Sequence, residues 1–220
     1  MTDIAIEYVD HMGSDLFVAN VARVSFAKWK EEFEVGKDDR LINYLANHAH
    51  SSPFRHTQIS LRCKAPVFLA RQLQKHQAGL SWNEVSRRYV DAGIEYFVPD
   101  SWRSRPVDGM KQGSGGELGD YNSLWQLGSI EEDYLAHMEE AVQFYDHLLD
   151  QGVAPEMARM VLPQSMMVDW IWTGNLFSFF HVYRLRAGHG AQLEAVDFAN
   201  KLEQIVEPLF PNCWSALKGE

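Results

Sequence analysis

The stretch Thr57-Gln58-Ile59-Ser60-Leu61-Arg62-Cys63-Lys64 alternates without a break. Ile59, Leu61 and Cys63 point one way, and Gln58, Ser60, Arg62 and Lys64 point the other. That is the period of a half-buried strand. Pro66 then suits the first turn of a helix running from Val67 to about His76. Upstream, Ile4 to Val9 reads as a short strand with Ile4, Ile6 and Tyr8 on one face. Asp15 can cap a helix to about Val24. Trp29 to Lys37 is charged and reads as an exposed loop or helix end, and a helix follows from Arg40 to about Ala49.

Downstream, Ala78 to Asn83 carries Gly79 and reads as a loop. Arg88 to Val98 is a second strand candidate, interrupted at Asp91-Ala92-Gly93. Val107 to Gly119 is rich in Gly and polar residues and is expected to be a mobile connection. Ser129-Ile130-Glu131-Glu132 is a capping box that opens a long helix to about Gln151, with Gly152 ending it. Pro155 starts a short helix containing Arg159. Ser165 to Thr173 reads as a strand with Trp170 and Trp172 on one side. Asn175 caps a helix from Leu176 to about Arg186, and a last helix, about Ala191 to Val206, closes the fold before Pro208 and Pro211. Strands and helices interleave without the regular alternation of a doubly wound sheet. The expectation is an α+β fold, one domain over residues 1–220, with a central, mostly antiparallel twisted sheet flanked by helices and one long helix in the second half.

The 220 residues, 46% of them hydrophobic, are enough to bury a substantial core. Lys+Arg 20 against Asp+Glu 30 gives a net charge of −10, which argues against a general nucleic-acid backbone binder but leaves room for a local cationic pocket. Cys63 and Cys213 make neither a disulfide framework nor a Cys-rich zinc site. No metal site is expected: His48 and His50 lack a supporting ligand set. No apolar run approaches a membrane span, the N-terminus lacks a basic, apolar leader, and the cytoplasm is the expected compartment.

The densest chemistry lies between Arg71 and Tyr89. Arg71 and Lys75 share a helix face, Gln72 and His76 share the next, and Asn83, Glu84, Ser86, Arg87 and Arg88 follow in a loop. Cations among neutral donors suit phosphate oxygens and the polar edge of a base or flavin ring. A second cluster, Tyr183 to Gln192, ends a helix with Arg184 and Arg186. A third, Ala158-Arg159-Met160-Val161-Leu162-Pro163, sets an Arg among apolar residues.

These residues resemble the signature of the flavin-dependent thymidylate synthases, which reads Arg-His-Arg, a short spacer, then Asn-Glu-x-Ser-x-Arg-Tyr. Lys75-His76-Gln77 stands at the first element, and Asn83-Glu84-Val85-Ser86-Arg87-Arg88-Tyr89 matches the second. Ala22 to Phe26, Phe54-Arg55-His56, Lys64-Ala65-Pro66, Ala158 to Pro163 and Leu185 to Gln192 look like further landmarks in order. The resemblance implies methylation of dUMP at C5 with methylenetetrahydrofolate as carbon donor, FAD as hydride carrier and NADPH as reductant. It also implies a homotetramer whose sites collect residues from several subunits, with no nucleic-acid or membrane partner. Gln72, Ser86, Arg88 and Arg159 would hold the nucleotide phosphate and sugar, with Glu84 and Val85 bordering the pocket. Arg186 would be the catalytic group, set against the uracil to stabilise developing negative charge. Ser25, His56, Lys75, His76, Gln77, Asn175, His181 and Gln192 would line the FAD site. Ser86 reads as a ligand to phosphate, since no G-x-S-x-G elbow surrounds it. Arg71, Lys75, Arg87, Arg88, Arg159 and Arg186 are expected to gather near one site.

The chain departs from the pattern at Lys75 and Gln77, where the family has arginines. The spacer before Ser86 is one residue longer. Phe177 replaces a flavin-contacting Arg, and Gly190 stands where a His is usual, with His189 one place earlier. The alternative expectation is a non-catalytic nucleotide-binding oligomer that lost flavin chemistry.

Overall fold

The computed structural model describes residues 3–106, 113–126, 128–188 and 190–219. Its centre is a four-stranded sheet in the order β1-β2-β4-β3, antiparallel throughout. The strands are β1 (Ala5–Met12), β2 (Gln58–Pro66), β3 (Leu80–Glu84) and β4 (Met167–Gly174). The alternation in β2 is realised in full, with Ile59, Leu61 and Cys63 wholly buried. In β4, Trp170 and Trp172 share the buried face; Trp170 stacks between Trp82 of β3, at 4.1 Å, and Phe198, at 6.0 Å. β1 is an edge strand, and Tyr8 is exposed, not on a buried face.

The helices among the described residues are α1 (Asp15–Arg23), α2 (Asp38–Asn47), α3 (Val67–Leu73), α4 (Ile130–Asp150), α5 (Pro155–Ala158), α6 (Leu176–Arg186), α7 (Leu193–Val206) and α8 (Pro211–Lys218). The capping box of α4 is complete: the Glu132 backbone N–H donates to Ser129 Oγ (3.1 Å), and the Ser129 N–H donates to Glu132 Oε2 (2.9 Å). Asn175 caps α6 by accepting from the Ser178 N–H at 2.9 Å.

Four expectations are corrected. The loop expected at Ala78–Asn83 is mostly strand, because Leu80 and Trp82 can pack inward once the segment pairs with β4. Arg88–Val98 is not a strand. The Arg87 guanidinium draws in the carbonyls of Val90, Ala92 and Gly93 (3.4, 2.7 and 3.4 Å), which coils the chain there. Only an isolated bridge between Tyr96 and Met166 forms beyond it. Of the connection expected to be mobile, residues 107–112 lie outside those described, but Gly115–Leu118 pairs back on Trp102–Ser104 through backbone hydrogen bonds of 2.7–2.9 Å. Finally, α7 does not close the fold. Helix α8 follows, and its N-terminus is capped from across the chain: the buried Asp15 carboxylate accepts from the Asn212 and Cys213 backbone N–H groups at 3.0 and 2.9 Å.

Two glycines let β3 close on β4. A Cβ on Gly174 would lie 2.7 Å from the Gly79 carbonyl oxygen and would overlap the Leu80 side chain. Gly79 has φ +72°, and a Cβ there would sit 2.5 Å from both Asn175 Nδ2 and Ser178 Oγ. Gly174→Ala is therefore expected to destabilise the protein by about 2 kcal/mol through overpacking. Amide exchange over residues 80–84 should accelerate. Gly116→Ala, where a Cβ meets nothing within 4 Å, should leave the thermal midpoint nearly unchanged. Equal midpoints for the two variants would contradict this account.

Candidate active site

The residues singled out by sequence fall into two groups. The first surrounds a cavity of about 580 Å³ at the open end of β3, lined by Glu84, Val85, Ser86, Arg87, Arg88 and Arg159 with Trp82 and Gln74. β3 delivers Glu84, whose carboxylate accepts from the Trp82 indole N–H at 3.2 Å. The Val85 N–H then donates to the Asp169 carbonyl at 2.9 Å, and a turn follows in which the Tyr89 and Val90 N–H groups share the Ser86 carbonyl at 3.0 Å. Inside that turn, Ser86 Oγ accepts from the Arg88 backbone N–H (3.3 Å) and from Arg88 Nε (3.2 Å). The Arg88 guanidinium also lies over the Tyr89 ring, 5.1 Å from its centroid. Opposite stands Arg159, just past α5, its Nε donating to the Glu156 carbonyl at 3.3 Å. Three arginines against the single carboxylate of Glu84 leave this cavity cationic.

The second group lies where the ends of α3 and α6 meet the start of α7. Gln72, Arg184, Arg186 and Gln192 line a cavity of about 600 Å³ with Gly188 and Gly190. Gln72 Nε2 donates to Gln192 Oε1 at 2.6 Å. Arg186 Nη2 reaches the Gln72 carbonyl at 3.4 Å, and Arg186 Nε donates to His76 Nε2 at 3.1 Å. His181 packs edge-on to His76, with ring centroids 5.9 Å apart, and its Nδ1 is 3.4 Å from Arg184 Nη2. Burial pushes the His76 pKa down to about 4, and the neighbouring Arg186 and His181 push it the same way. Burial also lowers that of Arg186. The accepting Nε2 fixes the neutral tautomer of His76 with its proton on Nδ1.

Within one chain, most of the cations expected near one site stand in the walls of two cavities. Arg87, Arg88 and Arg159 line one cavity and Arg186 the other, and Arg87 spends its guanidinium N–H groups on the carbonyls of its own loop. Gln72 and Arg186 line a different cavity from Glu84, Val85, Ser86, Arg88 and Arg159. Lys75, Gln77, Ser25 and His56 are exposed and line neither. Asn175 is buried, its side-chain oxygen accepting from the Ser178 N–H at 2.9 Å. Phe177 packs against the core. Trp82 stacks on Trp170 of its own sheet. His189 lies outside the described residues. Sequence reasoning missed Arg184 as a lining residue, although a polar ridge of Ser178, His181 and Arg184 on an apolar helix was a usable signal. It also missed Gln74 and Gln164, which carry no motif.

Comparison with known proteins gives the same answer over almost the whole chain. Residues 7–212 match the family model described as thymidylate synthase complementing protein, Thy1. The flavin-dependent thymidylate synthase of Thermus thermophilus is 36% identical over 213 residues, covering 97% of this chain and 75% of the relative. That of Thermosipho africanus is 36% identical over 208 residues, covering 94% and 87%. Among solved structures, the UMP/dUMP methylase PolB from Streptomyces cacaoi, bound with 5-Br dUMP, superposes with a TM-score of 0.86 at 31% identity, covering 99% of this chain and 96% of that one. With the second half of the signature, Glu84 to Arg88, lining one cavity and the match running from residue 7 to residue 212, the chain belongs to the Thy1 family, that of the flavin-dependent thymidylate synthases.

Proposed function

We propose that the chain converts dUMP to dTMP by reductive methylation at C5, with methylenetetrahydrofolate as carbon donor, FAD as hydride carrier, NADPH as reductant and no enzyme nucleophile on the uracil. The observation that carries this reading is the cationic cavity bounded by Glu84–Arg88 and Arg159. Arg88 and Arg159 present guanidinium forks to a phosphate, and the Ser86 hydroxyl holds Arg88 in place. Glu84 and Val85 border the sugar and base.

The absence of a nucleophile rests on three residues. Ser86 Oγ contacts only Arg88 among its described partners, so no base activates it. Both cysteines are buried, and burial pushes both thiols far up, so neither supplies a thiolate. The chemistry then falls to polarising the pyrimidine, which is the role of Arg186: in a half-buried site its guanidinium stabilises negative charge developing on the uracil oxygens.

The donor set around Arg186 fits FAD. Arg184 suits a pyrophosphate oxygen, while the neutral His76 and the Gln72–Gln192 pair offer hydrogen-bonding groups to a ring edge, with His181 packed beside His76. FAD, when bound, supplies hydride-transfer capacity. Ser25, His56, Lys75, Gln77 and Asn175 enter this site by resemblance alone. One observation favours the alternative, a nucleotide-binding oligomer without flavin chemistry: Phe177 is turned into the core and cannot replace a cofactor-binding Arg.

Because Gln72 and Arg186 line a different cavity from Arg88 and Arg159, one nucleotide would take its two sets of ligands from different subunits. A homotetramer supplies that arrangement, and the cytoplasm suits its substrates. No helix among the described residues is long and apolar enough to cross a membrane.

The direct test is tritium release from [5-3H]dUMP with NADPH and methylenetetrahydrofolate; a flavin-loaded protein that releases none refutes the enzyme reading. Arg88→Ala should weaken dUMP binding roughly a hundredfold, the worth of a charge-assisted contact, and leave flavin absorbance intact. If sites are shared, Arg88→Ala and Arg186→Ala subunits, each inactive alone, should regain activity when co-assembled; persistent inactivity would place both sets of ligands on one subunit. A pH dependence follows from His76. It stays neutral in the folded protein to about 4 but takes a proton near 6.5 when unfolded. The unfolded chain therefore binds more protons in that window, and stability should fall as pH drops through it. His76→Gln should flatten the slope in urea titrations.

A further inference from the structure

One arginine of the first cavity is committed to the protein itself. Arg87 stands between Ser86 and Arg88, at a position the family signature leaves open. Its Nη1 donates to the Ala92 carbonyl at 2.7 Å and to that of Val90 at 3.4 Å, and its Nη2 donates to that of Gly93 at 3.4 Å. These carbonyls converge on one guanidinium because Gly93 has φ +67°, a left-handed conformation that turns the chain back.

Little else holds this loop. No residue from Val85 to Gly93 is buried, and Tyr89 is 78% exposed. Apolar burial therefore does not fix the loop, and a loop left unfixed would have to be ordered by the ligand, at the expense of affinity. The turn at Ser86 reaches only as far as the Val90 N–H. Beyond it, among the described residues, the Arg87 fork alone ties positions 92 and 93 back to the start of the loop. The buried Tyr145 of α4 stands close behind: burial first, and then Asp91, raise its phenol pKa, while Arg87 lowers it. Helix α4 also packs against α5 and the short turn Arg159–Val161 that follows it. One helix thus backs both arms of the cavity, the loop of Arg88 and the turn of Arg159.

We propose that Arg87 is a positioning residue for the nucleotide: by gathering the carbonyls of Val90, Ala92 and Gly93 it preforms the loop that aims Arg88 at the phosphate, a role that rests on the reading of Arg88 as a phosphate ligand. The role needs a planar fork. A lysine ammonium presents its donors from a single point and does not span the same three carbonyls. It also needs no contact between Arg87 and the nucleotide, so its effect on binding passes through Arg88.

Arg87→Lys separates positioning from charge, because it keeps the cation at the cavity and removes the fork. Calorimetric titration of the full chain with dUMP should show about tenfold weaker binding, the effect of leaving roughly one residue of backbone to be ordered by the ligand. In turnover the loss should fall on KM and not on kcat. Without ligand, the amides of residues 89–93 should exchange faster, while the thermal midpoint, set by a core that this loop does not enter, should hardly move. In an Arg88→Ala background, Arg87→Lys should weaken binding by no more than about twofold further, since the group it aims is gone. Gly93→Ala keeps Arg87 but strains the turn; it should weaken dUMP binding too, and it serves alone if Arg87→Lys does not fold. Wild-type affinity in Arg87→Lys overturns the proposal. So does a full tenfold further loss in the Arg88→Ala background, which would make Arg87 a direct ligand. Wild-type protein that binds no dUMP refutes the reading of Arg88 and this proposal with it. Wild-type protein that binds dUMP but releases no tritium refutes the reaction alone and leaves the binding comparison standing.

Discussion

The close approach of β3 to β4 is the constraint on which the site depends. Strand β4 is interior to the sheet, and its last residue must lie flat against Leu80 and the Gly79 carbonyl. Only a residue without Cβ fits at position 174. Gly79 in turn sits over the N-terminus of α6, where Asn175 and Ser178 are already engaged and the Ala78 carbonyl accepts from Ser178 Oγ at 2.8 Å. These few residues therefore fix three elements at once: the start of β3, the end of β4 and the first turn of α6. Register follows from there. Trp82 falls opposite Trp172 and stacks on Trp170, so Glu84 arrives opposite Trp170 and the chain turns out at Val85. The signature turn is thus positioned by packing rather than by its own residues.

That division explains what could be read in advance. The alternation of β2, the paired tryptophans of β4, the capping box of α4 and the Asn175 cap are local patterns, and each forms as its residues dictate. The family resemblance likewise rests on contiguous residues, Asn83 to Tyr89 above all. What could not be read depends on partners far along the chain. Helix α8 has no cap of its own; Asp15, some two hundred positions earlier, supplies it. β3 is a strand only because β4 accepts it. Arg88–Val98 carries β-forming residues, but Arg87 captures three carbonyls of that segment and prevents an extended run. The separation of Arg186 from Arg88 depends on tertiary placement, which no spacing encodes.

The charge balance points the same way. A chain of net charge −10 must keep carboxylates from its anion-binding groups, and it does so by consuming several acids structurally. Asp38 is buried against Arg23 and Lys30. Asp133 accepts from Tyr121, Ser123 and the Leu124 N–H. Asp15 caps α8. Each is committed to stability at a distance from the two cavities.

Within the cavities, the arginines that matter are oriented by neutral acceptors. Arg88 is held by a serine hydroxyl and Arg186 by an imidazole and a backbone carbonyl. A carboxylate in either place would fix the guanidinium as firmly but would cancel its charge, and in a partly dehydrated pocket that cancellation is nearly complete. A neutral acceptor fixes direction and leaves the full positive charge for the ligand. The cost appears on His76: burial first, and then the charges of Arg186 and His181 beside it, drive its pKa down to about 4. Burial and the Arg186 contact therefore act together: both keep His76 neutral, and a neutral His76 leaves the Arg186 charge available. A protonated His76 would lose the contact and set two cations against each other where one is needed.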